Sequence, residues 1–149
     1  MQKGYTLIEL ILAVGLIALL AAFTVPTFQL ILSQLQLSTA TSQTGDLLRL
    51  AEQRTVTEQQ IYSVAFTAGS ATVTETLAGS ALYTLTLPSN IVVDSANFGV
   101  GVSTVQFTTA GAPSTSGNMV LHDTIRNVYR QIDVRPSGAI IEGPERSTP

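Results

Sequence analysis

Residues 4–26 read GYTLIELILAVGLIALLAAFTVP, and within this run the carboxylate of Glu9 is the one charged side chain. A helix from Tyr5 to Val25 rises 1.5 Å per residue and so spans roughly 30 Å, the hydrocarbon thickness of a bilayer. A secretory signal peptide carries its small-residue cleavage site after the apolar core. Here the glycine of the polar leader Met1-Gln2-Lys3-Gly4 stands before the core, so a cut at that place keeps the apolar helix. An acid inside such a helix costs on the order of 2.5–3.5 kcal/mol at its centre and less near the interface, which marks Glu9 as a functional group in search of a partner. Cleavage after Gly4 would create that partner, a new ammonium at Tyr5, within one subunit or between two. The alternative is an incidental acid near the end of an ordinary single-pass anchor, snorkelling to the interface.

Gly4 followed by Tyr5-Thr6-Leu7-Ile8-Glu9-Leu10, the apolar run behind it, and Pro26 resemble the amino terminus of type IV pilins and type II secretion pseudopilins. The resemblance covers about the first 26 residues. It implies a leader of residues 1–4, cut between Gly4 and Tyr5 by a prepilin peptidase, and N-methylation of Tyr5, which replaces the more usual phenylalanine. It further implies that Glu9 serves assembly, that the partners are other pilin subunits, the peptidase and an inner-membrane assembly platform, and that Pro26 bends the helix rather than ending it. Phe28, Ile31, Leu32 and Leu35 continue an i, i+3, i+4, i+7 pattern past Pro26, which also argues for a kink over a stop.

The organisation expected from this reading is a leader (residues 1–4), an amino-terminal helix (5–58, with 5–25 for membrane and assembly and 26–58 amphipathic), a β-rich exported domain (59–142) and a flexible tail (143–149). The fold class is α+β: a long amino-terminal helix packed on an antiparallel β-sheet or β-sandwich, the pilin fold. Ser38-Thr39-Ala40-Thr41-Ser42 is a poor helical stretch and Gly45 invites a local break. Beyond Glu58, alternating runs rich in β-branched and aromatic residues predict strands at 61–66, 71–76, 82–87, 102–107, 119–121, 128–134 and 139–142. The first two form a hairpin, with Gly69 of Ala68-Gly69-Ser70 supplying the positive φ of its turn. In the final third, Val105-Gln106-Phe107, Gly111, Pro113, Gly117 to Leu121, Arg130 to Val134 and Ser137-Gly138 resemble GspH/FimT-like pilins. Several DNA-uptake members of that group carry arginines around the glycine of the last hairpin; here Arg135 precedes Gly138 and Ala139 follows it.

Composition narrows the chemistry. The chain of 149 residues has no cysteine, which excludes disulfides, thiol catalysis and cysteine–zinc sites, and its net charge is −3 with seven cations against ten acids. Nucleic-acid affinity rests on several phosphate-neutralising side chains, so a nucleic-acid partner is weakly supported. His122-Asp123 brings to mind a dyad or metal site but lacks a nucleophile or further ligands, and a loop pair is the simpler reading. Arg126 and Arg130 could line a phosphate groove; a solvated or helix-contacting role is simpler, with Arg130 and Ile132 on one side of their strand. Gly99-Val100-Gly101 lacks the rest of a phosphate loop. No acid, base and nucleophile constellation points to an enzyme, and no metal or cofactor is implied. The function expected is a major or minor structural subunit of a type IV pilus, stored in the membrane with its carboxy-terminal domain outside the cytoplasm. The alternatives are a GspH-like pseudopilin of a type II secretion system and a DNA-binding minor pilin.

Overall fold

The computed structural model describes residues 5–99 and 101–149, with Pro26 as backbone only. It separates into two compact units, one ending at Leu32 and one comprising Ser33–Pro149. A single helix, α1 (Leu7–Glu58), contributes to both. Eight strands follow: β1 (Tyr62–Phe66), β2 (Thr72–Leu77), β3 (Ser80–Thr86), β4 (Ile91–Asn97), β5 (Thr104–Gln106), β6 (Gly117–Asp123), β7 (Val128–Val134) and β8 (Ile140–Arg146). They form two four-stranded antiparallel sheets in the orders β3-β2-β1-β5 and β4-β6-β7-β8. The α+β class with a long amino-terminal helix and antiparallel sheets is the architecture the sequence predicts.

No break occurs at 38–45. Thr41, Thr44 and Thr55 are buried, and their hydroxyls donate to the carbonyls of Leu37, Ala40 and Ala51 at 2.7, 2.8 and 2.8 Å. Each hydroxyl is thus satisfied one turn back, leaving the methyl free to pack, and tertiary burial overrides poor intrinsic propensity. Gly45 has a tertiary reason. The Glu142 carboxylate of β8 lies against it, 2.9 Å from where a Cβ would stand. Around these residues Leu37, Ala40, Leu47, Leu48 and Ala51 of α1 join Val64, Phe66, Val73 and Val105 of one sheet and Ile91, Val93, Met119, Leu121, Ile132 and Val134 of the other in one apolar core.

Three features depart from the predicted elements. Strand β4 was not expected, because after Ile91, Val92 and Val93 the run turns polar; the register against β6 shifts between Val93 and Ser95, and such a bulge breaks the two-residue alternation. The turn between β2 and β3 uses Ala78 (φ 51°) and Gly79 (φ 83°), a pair of left-handed residues suited to a two-residue hairpin. Residues 143–146, expected to begin a flexible tail, belong to β8 and pair with β7 through Glu145↔Arg130 and Arg146↔Tyr129.

Two fully buried carboxylates tie the helix to the sheets. Buried Asp123, at the end of β6, accepts from the Ser33 hydroxyl of α1 and from Asn90 Nδ2 at 3.3 Å. Buried Glu75 of β2 receives Arg54 Nη1 at 2.7 Å.

Gly117 opens β6 where the chain crosses the end of β4. A Cβ there would run into the Asn97 carbonyl oxygen and lie 2.7 Å from Phe98 Cα. Both neighbours are backbone and cannot swing aside. Gly117→Ala is therefore expected to cost about 3 kcal/mol, the upper end for overpacking, read as a shift of the midpoint in chemical denaturation of the detergent-solubilised chain.

Candidate assembly segment

Helix α1 begins with its own cap. Thr6 N donates to Glu9 Oε2 at 2.8 Å, Thr6 Oγ1 donates to the same oxygen at 3.0 Å, and Glu9 N returns a bond to Thr6 Oγ1 at 3.3 Å. This is a capping box, in which the residue before the helix and the third residue within it satisfy each other's orphan amides. The spacing Thr-x-x-Glu was available in the sequence as its signature, and the sequence reading missed it. The carboxylate thus has a local task at one oxygen, while Oε1 makes no hydrogen bond among the described residues. Tyr5 is 89% exposed. Gly4, the other half of the expected cleavage site, lies outside the described residues.

From Leu7 to Leu32 the large apolar side chains face outward on every side of the helix, with Leu7 at 78% exposure and Phe23 at 72%. By length and composition this helix can cross a membrane. Its hydroxyls are suited to lipid, since Thr24 Oγ1 donates to Leu20 O at 2.9 Å and Thr27 Oγ1 to Phe23 O at 3.2 Å. At Pro26 the helical assignment continues without interruption, although proline has no N–H to give to the carbonyl four residues earlier.

The other candidates fall into structural roles. His122 and Asp123 end β6 and do not form a loop pair; as neighbours on a strand they point to opposite faces. His122 stacks on Tyr129 at 4.3 Å and contacts Asn127 Oδ1 at 3.1 Å, whereas Asp123 is buried with Ser33 and Asn90. Arg126 bonds Glu145 at 2.5 Å, which raises the guanidinium pKa and keeps it charged, and Arg130 reaches Ser38 of α1 at 3.4 Å. Arg49 bridges Asp46 at 2.9 Å and Glu142 at 3.3 Å. These cations are engaged within the domain.

A cleft of about 570 Å³ lies between α1 and the β7–β8 turn, lined by Arg49, Glu52, Gln53, Thr57 and Gly138 among others. Gly138 sits against an acid, with Glu52 Oε1 3.0 Å from the position of a Cβ. The tip of the last hairpin is therefore backed by a carboxylate, which disfavours phosphate there.

Residues 1–25 match the family described as the prokaryotic N-terminal methylation motif. The chain is 43% identical over 47 residues to the type IV major fimbrial protein FimA of Dichelobacter nodosus, a stretch covering 32% of this chain and 30% of that protein. The chain thus spans under a third of the length of the curated relatives it matches. Among solved structures, the type IV minor pilin FimU of Pseudomonas aeruginosa superposes with a TM-score of 0.60 at 14% identity, covering 74% of this chain and 90% of that one. The minor pseudopilin EpsH from the type 2 secretion system of Vibrio cholerae gives 0.59 at 11%, covering 72% and 95%. At such identities these two likenesses show the fold.

Burial raises the pKa of the Glu52 carboxyl. A carboxyl raised in the folded state binds its proton more tightly folded than unfolded, so its stabilisation is complete below the ordinary carboxylate range and is lost as pH rises through the raised value. The denaturation midpoint of Glu52→Gln should therefore rise relative to wild type as pH increases through the acid range, with the two closest at the acid end; a gap that stays constant with pH would contradict it.

Proposed function

We propose that the chain belongs to the type IV pilin and pseudopilin superfamily and is a structural subunit of a type IV pilus, a reading supported by its methylation motif and its fold. Residues 5–25 hold it in the cytoplasmic membrane with the β-rich unit outside the cytoplasm. A prepilin peptidase cuts between Gly4 and Tyr5 and methylates Tyr5, and an inner-membrane platform moves the helix from lipid into a bundle of pilin helices. The observation that carries this reading is a helix apolar around its whole circumference over residues 7–32, continuous with a helix whose far half is built into a folded domain.

The exchange of lipid for protein is close to neutral in hydrophobic terms, because lipid tails are about as apolar as leucine, so packing and polar pairing decide register. Ala13, Gly15, Ala18, Ala21 and Ala22 allow close helix approach. Glu9 then selects. Its Oε2 is occupied by the cap, and Oε1, which makes no hydrogen bond among the described residues, receives the amino terminus of a neighbour. At 4 Å, unit charges attract by about 4 kcal/mol at an effective dielectric of 20, before desolvation is subtracted. That is enough to favour the axial stagger bringing the two groups together. Pro26 is read as a bend in the helix.

The pseudopilin reading shares each of these features, and a fold likeness of 0.59 to a pseudopilin against 0.60 to a pilin does not separate them. The DNA-binding reading is disfavoured by arginines engaged with acids and by Glu52 behind the last hairpin.

Glu9→Ala should leave membrane insertion intact and remove the chain from sheared filaments. Glu9→Gln, which keeps a cap acceptor without the charge, should behave as Glu9→Ala if pairing matters and as wild type if capping alone matters. Immunoblots of membrane and filament fractions decide the point, and unchanged incorporation of Glu9→Ala would refute the assembly role.

A further inference from the structure

Contacts along α1 fix the direction of the second sheet within the Ser33–Pro149 unit. Asp123, which ends β6, meets Ser33. Arg130 Nη1 of β7 donates to Ser38 Oγ at 3.4 Å, Ser42 Oγ donates to Glu142 of β8 at 3.2 Å, and Glu52 lies against Gly138 of the β7–β8 turn. The helix partners advance from residue 33 to residue 52, so β7 runs with the helix. The β6–β7 turn, residues 124–127, therefore stands at the end where the chain enters this unit from its apolar segment.

That turn is held from several sides and presents one apolar side chain. The Asp123 carboxylate that takes the Ser33 hydroxyl also accepts from Ile125 N at 3.0 Å and Arg126 N at 3.5 Å, so one group ties the turn to the helix. Thr124 N and Oγ1 both donate to Asn90 O, at 2.9 and 3.0 Å. Arg126 is drawn back onto Glu145 at 2.5 Å, and Asn127 Oδ1 contacts the His122 ring at 3.1 Å. Each polar side chain of the turn is thus engaged inside the domain, and Ile125, 55% exposed, is the one left facing outward. Tyr129 stands one rung behind, paired with His122, an aromatic of the kind that gathers at membrane interfaces.

We propose that the β6–β7 turn is a lipid contact: while the chain is stored in the membrane, Ile125 dips into the headgroup layer. This inference rests on the membrane-stored reading of residues 5–25. The occupant follows from chain length. Eight helical steps separate Val25, where the membrane segment of that reading ends, from Ser33, a rise of about 12 Å. The headgroup layer of one leaflet fills roughly 5–8 Å of that rise, which leaves a gap of about 4–7 Å. The tip of the turn lies two residues past Asp123, and at about 3.3 Å per residue it reaches up to about 6.6 Å, enough to close the gap. A single isoleucine gives a weak and reversible hold, as suits a subunit that must leave the membrane.

The chain has no tryptophan, so an introduced one reports alone. The full chain carrying Ile125→Trp, reconstituted in phosphatidylcholine vesicles, should show blue-shifted emission and lose most of its intensity when the lipid is brominated near the headgroup end of its acyl chains. Ile61, 57% exposed and just past the other end of α1, supplies the control, and Ile61→Trp should keep its red-shifted emission in both lipids. If Ile125→Trp does not fold, Ile125→Cys with a nitroxide label serves in its place, since the chain has no cysteine either; that label should collide with oxygen in preference to a water-soluble nickel complex. Emission from Ile125→Trp that matches Ile61→Trp and resists bromine would overturn the contact and leave the storage reading standing. A blue shift without quenching means that protein covers the turn, and overturns it as well. Failure of the wild-type chain to float with the vesicles would remove the storage reading itself, and flotation is measured before any fluorescence.

Discussion

An apolar helix surface that its own chain does not cover sets the terms for everything else in this protein. From Leu7 to Leu32 no side of α1 is buried, and water is the one environment such a surface cannot occupy at acceptable cost. Lipid and the flanks of other helices are the two coverings available, and because they differ little in apolarity the helix can pass from one to the other. The polar groups at its start then carry the information that the apolar groups lack. Thr6 and Glu9 close the first turn on themselves, which orders the carboxylate.

The same helix solves a different problem past residue 33. There one face is buried by both sheets, and its hydroxyl-bearing residues are handled by bonds one turn back. Ser33, where this unit begins, meets Asn90 and Asp123 in a buried polar group, and Arg54 compensates the buried charge of Glu75. These contacts join residues 33–58 of α1 to β2, to β6 and to the residue before β4, so this part of the helix belongs to the domain's core.

Much of this was legible in the sequence. The apolar run and the continuing periodicity past Pro26 pointed to the helix, and the switch to alternating β-branched runs at about residue 60 pointed to the antiparallel sheets. What stayed hidden has physical causes. Strand β4 is broken by a bulge that erases its alternation, and the Ala78-Gly79 turn places an alanine where a glycine or asparagine would have signalled it. The continuity of α1 through Thr41 and Gly45 depends on packing partners far along the chain, Glu142 among them, which no local window contains. At the assembly segment the difficulty was of another kind. The Thr-x-x-Glu cap was visible in the sequence, and the charge of Glu9 drew attention away from its nearer hydrogen-bonding role.

The account turns on whether the helix is released from its leader and carried into a fibre. Mass spectrometry of filaments sheared from the cell surface measures both at once. The account predicts an amino-terminal peptide that begins at Tyr5, bears a methyl group on its nitrogen and is present with peptides from the β-rich unit. A chain that keeps Met1–Gly4, remains wholly in the membrane fraction and is absent from the sheared material would contradict it.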